Sequence, residues 1–82
     1  MPKVIIADNV RLPLAELFGG RLKQRRRAHN MTQAQLAERT GSTAAYISQV
    51  ERAQANPTLD LMAKIAEVLD TDVWDLLRPN ND

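Results

Sequence analysis

The side chains in this 82-residue chain best suited to act on another molecule are concentrated between Thr32 and Pro57. Gln49 carries a carboxamide, which can donate to adenine N7 and accept from adenine N6 at the same time. Ala44 and Ala45 cannot hydrogen-bond, yet their methyls can touch a thymine methyl and their smallness permits close approach; they are equally good helix formers. The hydroxyls of Thr43 and Ser48 can read a base or bond back to their own helix, and residue type alone leaves both open. Other chemistry is poorly supplied. His29 is the only histidine and there is no cysteine, so a tetrahedral zinc site lacks ligands, and the place of His29 at a helix end points to a dipole or surface role. No serine has a recognisable base and orienting partner, and no glycine loop could cradle a phosphate. The chain therefore reads as a non-enzyme with no catalytic residues, no metal and no cofactor.

Those side chains need short helices to present them. Thr32 followed by Gln35 makes a capping box, Leu36 and Ala37 follow as inward positions, and Gly41 can end the helix in a left-handed conformation. Thr43 can cap a second helix running to about Glu51, with Ile47 and Val50 on its buried side. Two helices joined by a short glycine-containing turn form a helix-turn-helix, whose second helix can enter a major groove.

Around this pair the chain supplies packing. A first helix is expected from about Leu14 to His29, with Leu14, Leu17, Phe18 and Leu22 as one apolar stripe and Asn30 as a left-handed end. Gly19-Gly20 weakens it by roughly 2 kcal/mol relative to alanine, so a start near Gly19, with Leu14 to Phe18 as a separate turn, is also open. Arg21, Lys23, Arg25, Arg26 and Arg27 point in different directions around a helix and cannot all meet one DNA strand. Thr58 caps a fourth helix with Leu59, Met62, Ile65, Ala66 and Leu69 facing inward, and a short fifth spans about Val73 to Leu77 before Pro79.

Composition sets the outer limits. Hydrophobic residues at 44% and charged residues at 26% are ordinary globular values, so one small soluble domain is expected. The absence of cysteine fits the cytoplasm. The longest apolar run near the N-terminus, Val4 to Ala7, is too short to span a membrane. Residues 1–57 hold nine Lys/Arg against four Asp/Glu, whereas residues 58–82 hold two against six. A polyanion would meet one attractive and one repulsive end. The domain organisation is an N-terminal arm over 1–13, either loose or an extended strand that pairs with a second copy or lies across the helices, a helix-turn-helix domain over 14–78, and a tail over 79–82.

Thr32-Gln33, Leu36-Ala37, Gly41, Tyr46-Ile47-Ser48, Glu51-Arg52, Asn56-Pro57-Thr58, Ile65-Ala66 and Leu69, in that order, resemble the lambda-repressor-like, Cro/C1-type helix-turn-helix family, also called the XRE family. The resemblance covers about Gly20 to Leu77. It implies an all-α bundle of five helices and sequence-specific binding of double-stranded DNA, usually as a homodimer on a palindrome. On that resemblance Thr43, Ala44, Ala45, Ser48 and Gln49 face base edges. Gln33 bonds a phosphate, and Tyr46, Arg52 and Asn56 lie near the flanking backbone. Arg26 and Glu51 match a family ion pair, and Val73, Trp74 and Leu77 are candidates for a dimer contact, although Trp74 could instead plug the core. Ala53 stands where the family usually has glycine, and Ser42 where a buried aliphatic is common. No membrane or small-molecule partner is implied. The expected role is a transcriptional regulator, a repressor or autoregulatory controller; the alternative is an antitoxin-like or adaptor module whose recognition face binds protein.

Overall fold

The computed structural model describes residues 13–79. Within them the chain forms α1 (Pro13–Ala28), α2 (Gln33–Thr40), α3 (Ala44–Glu51), α4 (Leu59–Val68) and α5 (Val73–Leu77). The extended arm expected around Val4 to Ala7 and the tail residues 80–82 lie outside the described residues.

Four of the helices start where a short oxygen-bearing side chain can take an orphan N–H. Thr32 Oγ1 accepts from Gln35 N at 3.0 Å while Gln35 Oε1 accepts from Thr32 N at 2.8 Å, completing the capping box. Thr43 accepts from Tyr46 N at 3.1 Å, Thr58 from Leu61 N at 3.1 Å, and Asp72 from Asp75 N at 2.7 Å.

The ends of α1 to α4 share one device. Asn30, Gly41, Ala53 and Asp70 have φ of 55°, 74°, 60° and 59°. After each, the next N–H closes onto a carbonyl five residues back: Met31 to Arg26, Ser42 to Ala37, Gln54 to Gln49 and Thr71 to Ala66, at 2.8–3.1 Å. Gly41 adopts this conformation freely and Asn and Asp tolerate it, but Ala53 carries a Cβ with no compensating polar group.

The core collects Phe18 and Leu22 of α1, Leu36 of α2, Ile47 and Val50 of α3, Ile65 of α4, Leu69 just after it, and Leu76 of α5. Alternating helix faces thus meet in one centre. The glycine pair does not break α1. Gly19 is buried where α1 crosses the end of α3: a Cβ there would collide with the Val50 carbonyl and lie 2.9 Å from the Glu51 carbonyl oxygen. Gly20 faces open space. Leu17 of the expected stripe is only half-buried, and two more expected inward positions lie outside the core, since Leu14 is 59% and Leu59 77% exposed. Both sit in first helical turns bordering one groove that no described element covers. Ser42 is half-buried beside an open depression of about 510 Å³. Among the described residues no helix is long and apolar enough to cross a membrane.

Candidate nucleic-acid interface

Eight residues are too few for α3 to persist as an isolated helix, so its shape depends on what grips it. Ile47 and Val50 are buried, each worth roughly 1.5–3 kcal/mol in area terms. At about 100° per residue, Ala44, Ala45, Ser48 and Gln49 fall on the other side. Ala44, Ala45 and Gln49 are exposed and Ser48 is half-buried. Thr43, also exposed, spends an acceptor lone pair on its cap, which leaves its hydroxyl hydrogen for another partner.

The far end of α3 is fixed by charge. Arg26 Nε donates to Glu51 Oε2 at 2.6 Å, Arg26 Nη2 to Glu51 Oε1 at 3.1 Å, and Arg26 Nη1 to the Met31 carbonyl at 2.8 Å. Gln33 Nε2 adds a third bond to the same carboxylate at 2.9 Å. The Glu51 carboxylate therefore ties the end of α3 to α1 and to the first residue of α2, while Arg26 also holds the turn after α1. The Gln33 carboxamide keeps one N–H and its carbonyl oxygen for other bonds, and its position at the start of α2 puts it beside unsatisfied backbone N–H groups.

Beyond α3, Tyr46 donates its hydroxyl to the Asn56 carbonyl at 3.3 Å, fastening the loop of residues 53–57 to the side of the helix. Arg52, at the end of α3, and Asn56, in that loop, are exposed. The cationic run on α1 splits up: Arg26 turns inward, Arg25 Nη2 reaches Asp75 Oδ2 at 2.6 Å, and Lys23 and Arg27 are exposed. His29 Nε2 lies 3.0 Å from the Leu69 carbonyl, and since a carbonyl only accepts, that nitrogen carries the proton.

A second polar cluster, not anticipated from spacing, holds α5. Asp75 accepts from Thr71 Oγ1 at 3.0 Å, from Arg25, and from Arg78 Nη2 at 2.9 Å. The Thr71 hydroxyl first, and then the neighbouring Arg25 charge, hold the Asp75 carboxyl below its ordinary value despite some desolvation. A partner fifty positions away gives no periodic signal in sequence; only the i, i+4 and i, i+3 neighbours could have been noticed. The three dimer candidates differ: Val73 and Leu77 pack partly against the core, while Trp74 is 68% exposed. Among the described residues, no His, Cys, Asp and Glu side chains group as a metal ion would need.

The helix-turn-helix family model HTH_3 matches residues 22–73, from the middle of α1 to the start of α5. The regulator SinR of Bacillus subtilis, named an HTH-type transcriptional regulator, is 37% identical over 62 residues, 74% of this chain and 56% of its own length. This chain thus spans little more than half of that relative. The restriction-modification controller protein C.AhdI of Aeromonas hydrophila has a crystal structure matching with a TM-score of 0.72 and 35% identity, over 76% of this chain and 94% of that one. Hydroxypropylphosphonic acid epoxidase from S. wedmorenis matches with a TM-score of 0.76 and 30% identity, over 84% of this chain but 37% of the enzyme. Such a shared fold says nothing by itself about catalysis. With the family model covering α2, α3 and α4 whole and 94% of a controller's chain matched at 35% identity, this chain belongs to the lambda-repressor-like, Cro/C1-type helix-turn-helix family.

Proposed function

We propose that this chain is a sequence-specific double-stranded DNA-binding transcriptional regulator that acts as a homodimer on a palindromic operator. The observation that carries the reading is α3 itself: a helix too short to stand alone, clamped at its end by the Arg26–Glu51–Gln33 cluster, with Ala44, Ala45, Ser48 and Gln49 on the side away from the buried Ile47 and Val50. In this reading Gln49 bonds an adenine edge, Thr43 and Ser48 add hydroxyls, and the alanine methyls lie against thymine. The unspent groups of Gln33, with Tyr46, Arg52 and Asn56, contact the flanking phosphates and set the register. Trp74, with Val73 and Leu77 beside it, forms the two-fold contact, which would place two reading helices about 34 Å apart on one face of the duplex. Occupying or freeing promoter DNA is then the regulatory act. Family membership and the likeness to SinR and C.AhdI support the regulatory role, and no enzymatic activity is proposed.

One observation favours a second reading. Ala44 and Ala45 are exposed on the reading face and offer no hydrogen bond, which suits a protein partner better than base discrimination. Selection from a random duplex library, followed by titration of the enriched site at several salt concentrations, separates the two. The regulator reading expects a palindromic site, a loss of affinity with Gln49→Ala, and binding that weakens steeply with salt. Trp74→Glu should weaken operator binding while leaving helix content unchanged, because that side chain is largely exposed. No enriched sequence, together with salt-insensitive association with a copurifying protein, would overturn the regulator reading in favour of an interaction module.

A further inference from the structure

Arg25 and Arg26 are consecutive in α1 yet serve different helices. Arg26 grips Glu51 at the end of α3, whereas Arg25 Nη2 donates to Asp75 Oδ2 of α5 at 2.6 Å. Successive residues stand about 100° apart around a helix, so a single turn of α1 reaches both the reading helix and the candidate dimer surface.

The five residues of α5 cannot persist as a helix on their own. Leu76 is the one fully buried side chain among them, with Val73 and Leu77 partly packed beside it. Apolar contact is non-directional, so it holds α5 against α1 and α4 but only weakly fixes its rotation. The directional bonds pass through Asp75, which accepts from Thr71 Oγ1 at 3.0 Å, from Arg78 Nη2 at 2.9 Å and from Arg25. Thr71 and Arg78 lie four residues before and three residues after Asp75, in the same stretch of chain, and move with it. Of the three donors, Arg25 is the one that stands on another element. Trp74, next to Asp75 and 68% exposed, points wherever that rotation sends it.

We propose that Arg25 is a positioning residue for DNA recognition: by holding Asp75 it fixes the rotation of α5, and with it the direction of Trp74 relative to the face of α3 that carries Gln49. In the homodimer reading, on which this rests, Trp74 makes the two-fold contact. The separation of the two reading helices then follows from the direction of Trp74, and one base pair of spacer amounts to only about 3.4 Å along the duplex. Loosening α5 from α1 therefore blurs the half-site spacing that the dimer accepts, although Arg25 itself is turned to Asp75 and not to a phosphate.

Trp74 is the sole tryptophan of the chain, so its fluorescence anisotropy decay reports the restraint of α5 in the dilute full-length protein without DNA. Arg25→Met removes the charge and keeps the length, and because the Arg25 side chain is 39% exposed the helix content should be unchanged. This variant should increase the fast part of the Trp74 decay. Arg25→Lys, which returns a single charged donor to Asp75, should restore it. The same three proteins are then titrated with duplexes carrying the selected half-sites at the selected spacing and at spacings one base pair shorter and longer. Wild type should favour the selected spacing, Arg25→Met should lose at least about fivefold of that preference, the low end of coupling between separate sites, and Arg25→Lys should regain most of it. An equal loss of affinity at all three spacings, or no loss at any, would overturn the proposal. An unchanged Trp74 decay would overturn it because α5 is then held without Arg25, and a drop in helix content because Arg25 then supports the fold as a whole. Restraint of Trp74 by Arg25 with no spacing preference in wild type would instead sink the homodimer reading, and the DNA role of Arg25 with it.

Discussion

Replacing Arg26 by alanine tests whether the charged cluster behind α3 is a structural clamp or part of the DNA-facing charge. The Arg26 and Glu51 side chains are 10% and 2% exposed. Truncation removes two bonds to Glu51 and one to the Met31 carbonyl, leaving the buried carboxylate with Gln33 as its remaining side-chain donor. An uncompensated buried charge of this kind costs about 3–5 kcal/mol. A chain of this length has a total stability of only about 4–12 kcal/mol. Arg26→Ala should therefore lose a large fraction of the folding free energy, and its melting temperature should fall by upwards of about 12 °C. Urea unfolding at neutral pH measures the first quantity, and titration of the selected duplex at several salt concentrations supplies the contrast. Losing a phosphate-neutralising cation reduces the slope of log K against log salt by about 1. Arg52→Ala should do so, and Arg26→Ala should change that slope far less. A second variant separates charge from packing: replacing Arg26 and Glu51 together by methionine should recover most of the lost stability, because a buried ion pair exchanged for apolar volume is often neutral or better. Arg26→Ala with an unfolding free energy within about 0.5 kcal/mol of wild type would refute the clamp.

Three further perturbations follow from local geometry. The adjacent glycines of α1 should respond with opposite signs: Gly19→Ala should destabilise by about 1–3 kcal/mol because its Cβ overlaps the α3 carbonyls, and Gly20→Ala should stabilise by about 0.5–1 kcal/mol; thermal unfolding showing equal signs would reject the close crossing. Ala53→Gly should stabilise by up to about 1 kcal/mol, since a left-handed alanine costs about 1–2 kcal/mol and glycine's extra unfolded-state freedom offsets part of the gain; a lower melting temperature would contradict this. For Asp75 the folded pKa lies below the ordinary value, so its contribution is present above about pH 4 and is lost as pH falls through the folded pKa. The stability difference between wild type and Asp75→Asn, followed by denaturant titration across pH, should therefore be flat near neutrality and close below about pH 4; a difference that widens on acidification would reverse the assignment.

Much of this fold was legible because its cues are local. Thr32 with Gln35, Thr43 and Thr58 mark helix starts by interactions reaching only three residues, and Asn30 and Gly41 mark ends by their own tolerance of positive φ. The inward positions Leu36, Ile47, Val50, Ile65 and Leu69 follow from the period of the helix, and the ordered motif from Thr32 to Leu69 identified the family that the model match over residues 22–73 also finds.

Tertiary structure decided whatever depends on groups distant along the chain. Gly19-Gly20 looks like a break when read along α1, but α3 arriving from thirty residues away needs the missing Cβ at Gly19. Leu14 and Leu59 satisfy the helical period, yet a period states which side a residue faces and not whether another element ends before covering it. Gln33 alone is a polar side chain at a helix start; that one of its N–H groups goes to Glu51 was settled by the packing of α1, α2 and α3. By itself, then, the sequence determined where α2 to α5 lie, the family, and which face of α3 is free, because backbone capping and periodicity act within a few residues. The spacing between helices, the sharing of Glu51, the anchoring of α5 and the open groove were decided only when those helices packed, because each depends on distances between residues eighteen to fifty or more positions apart.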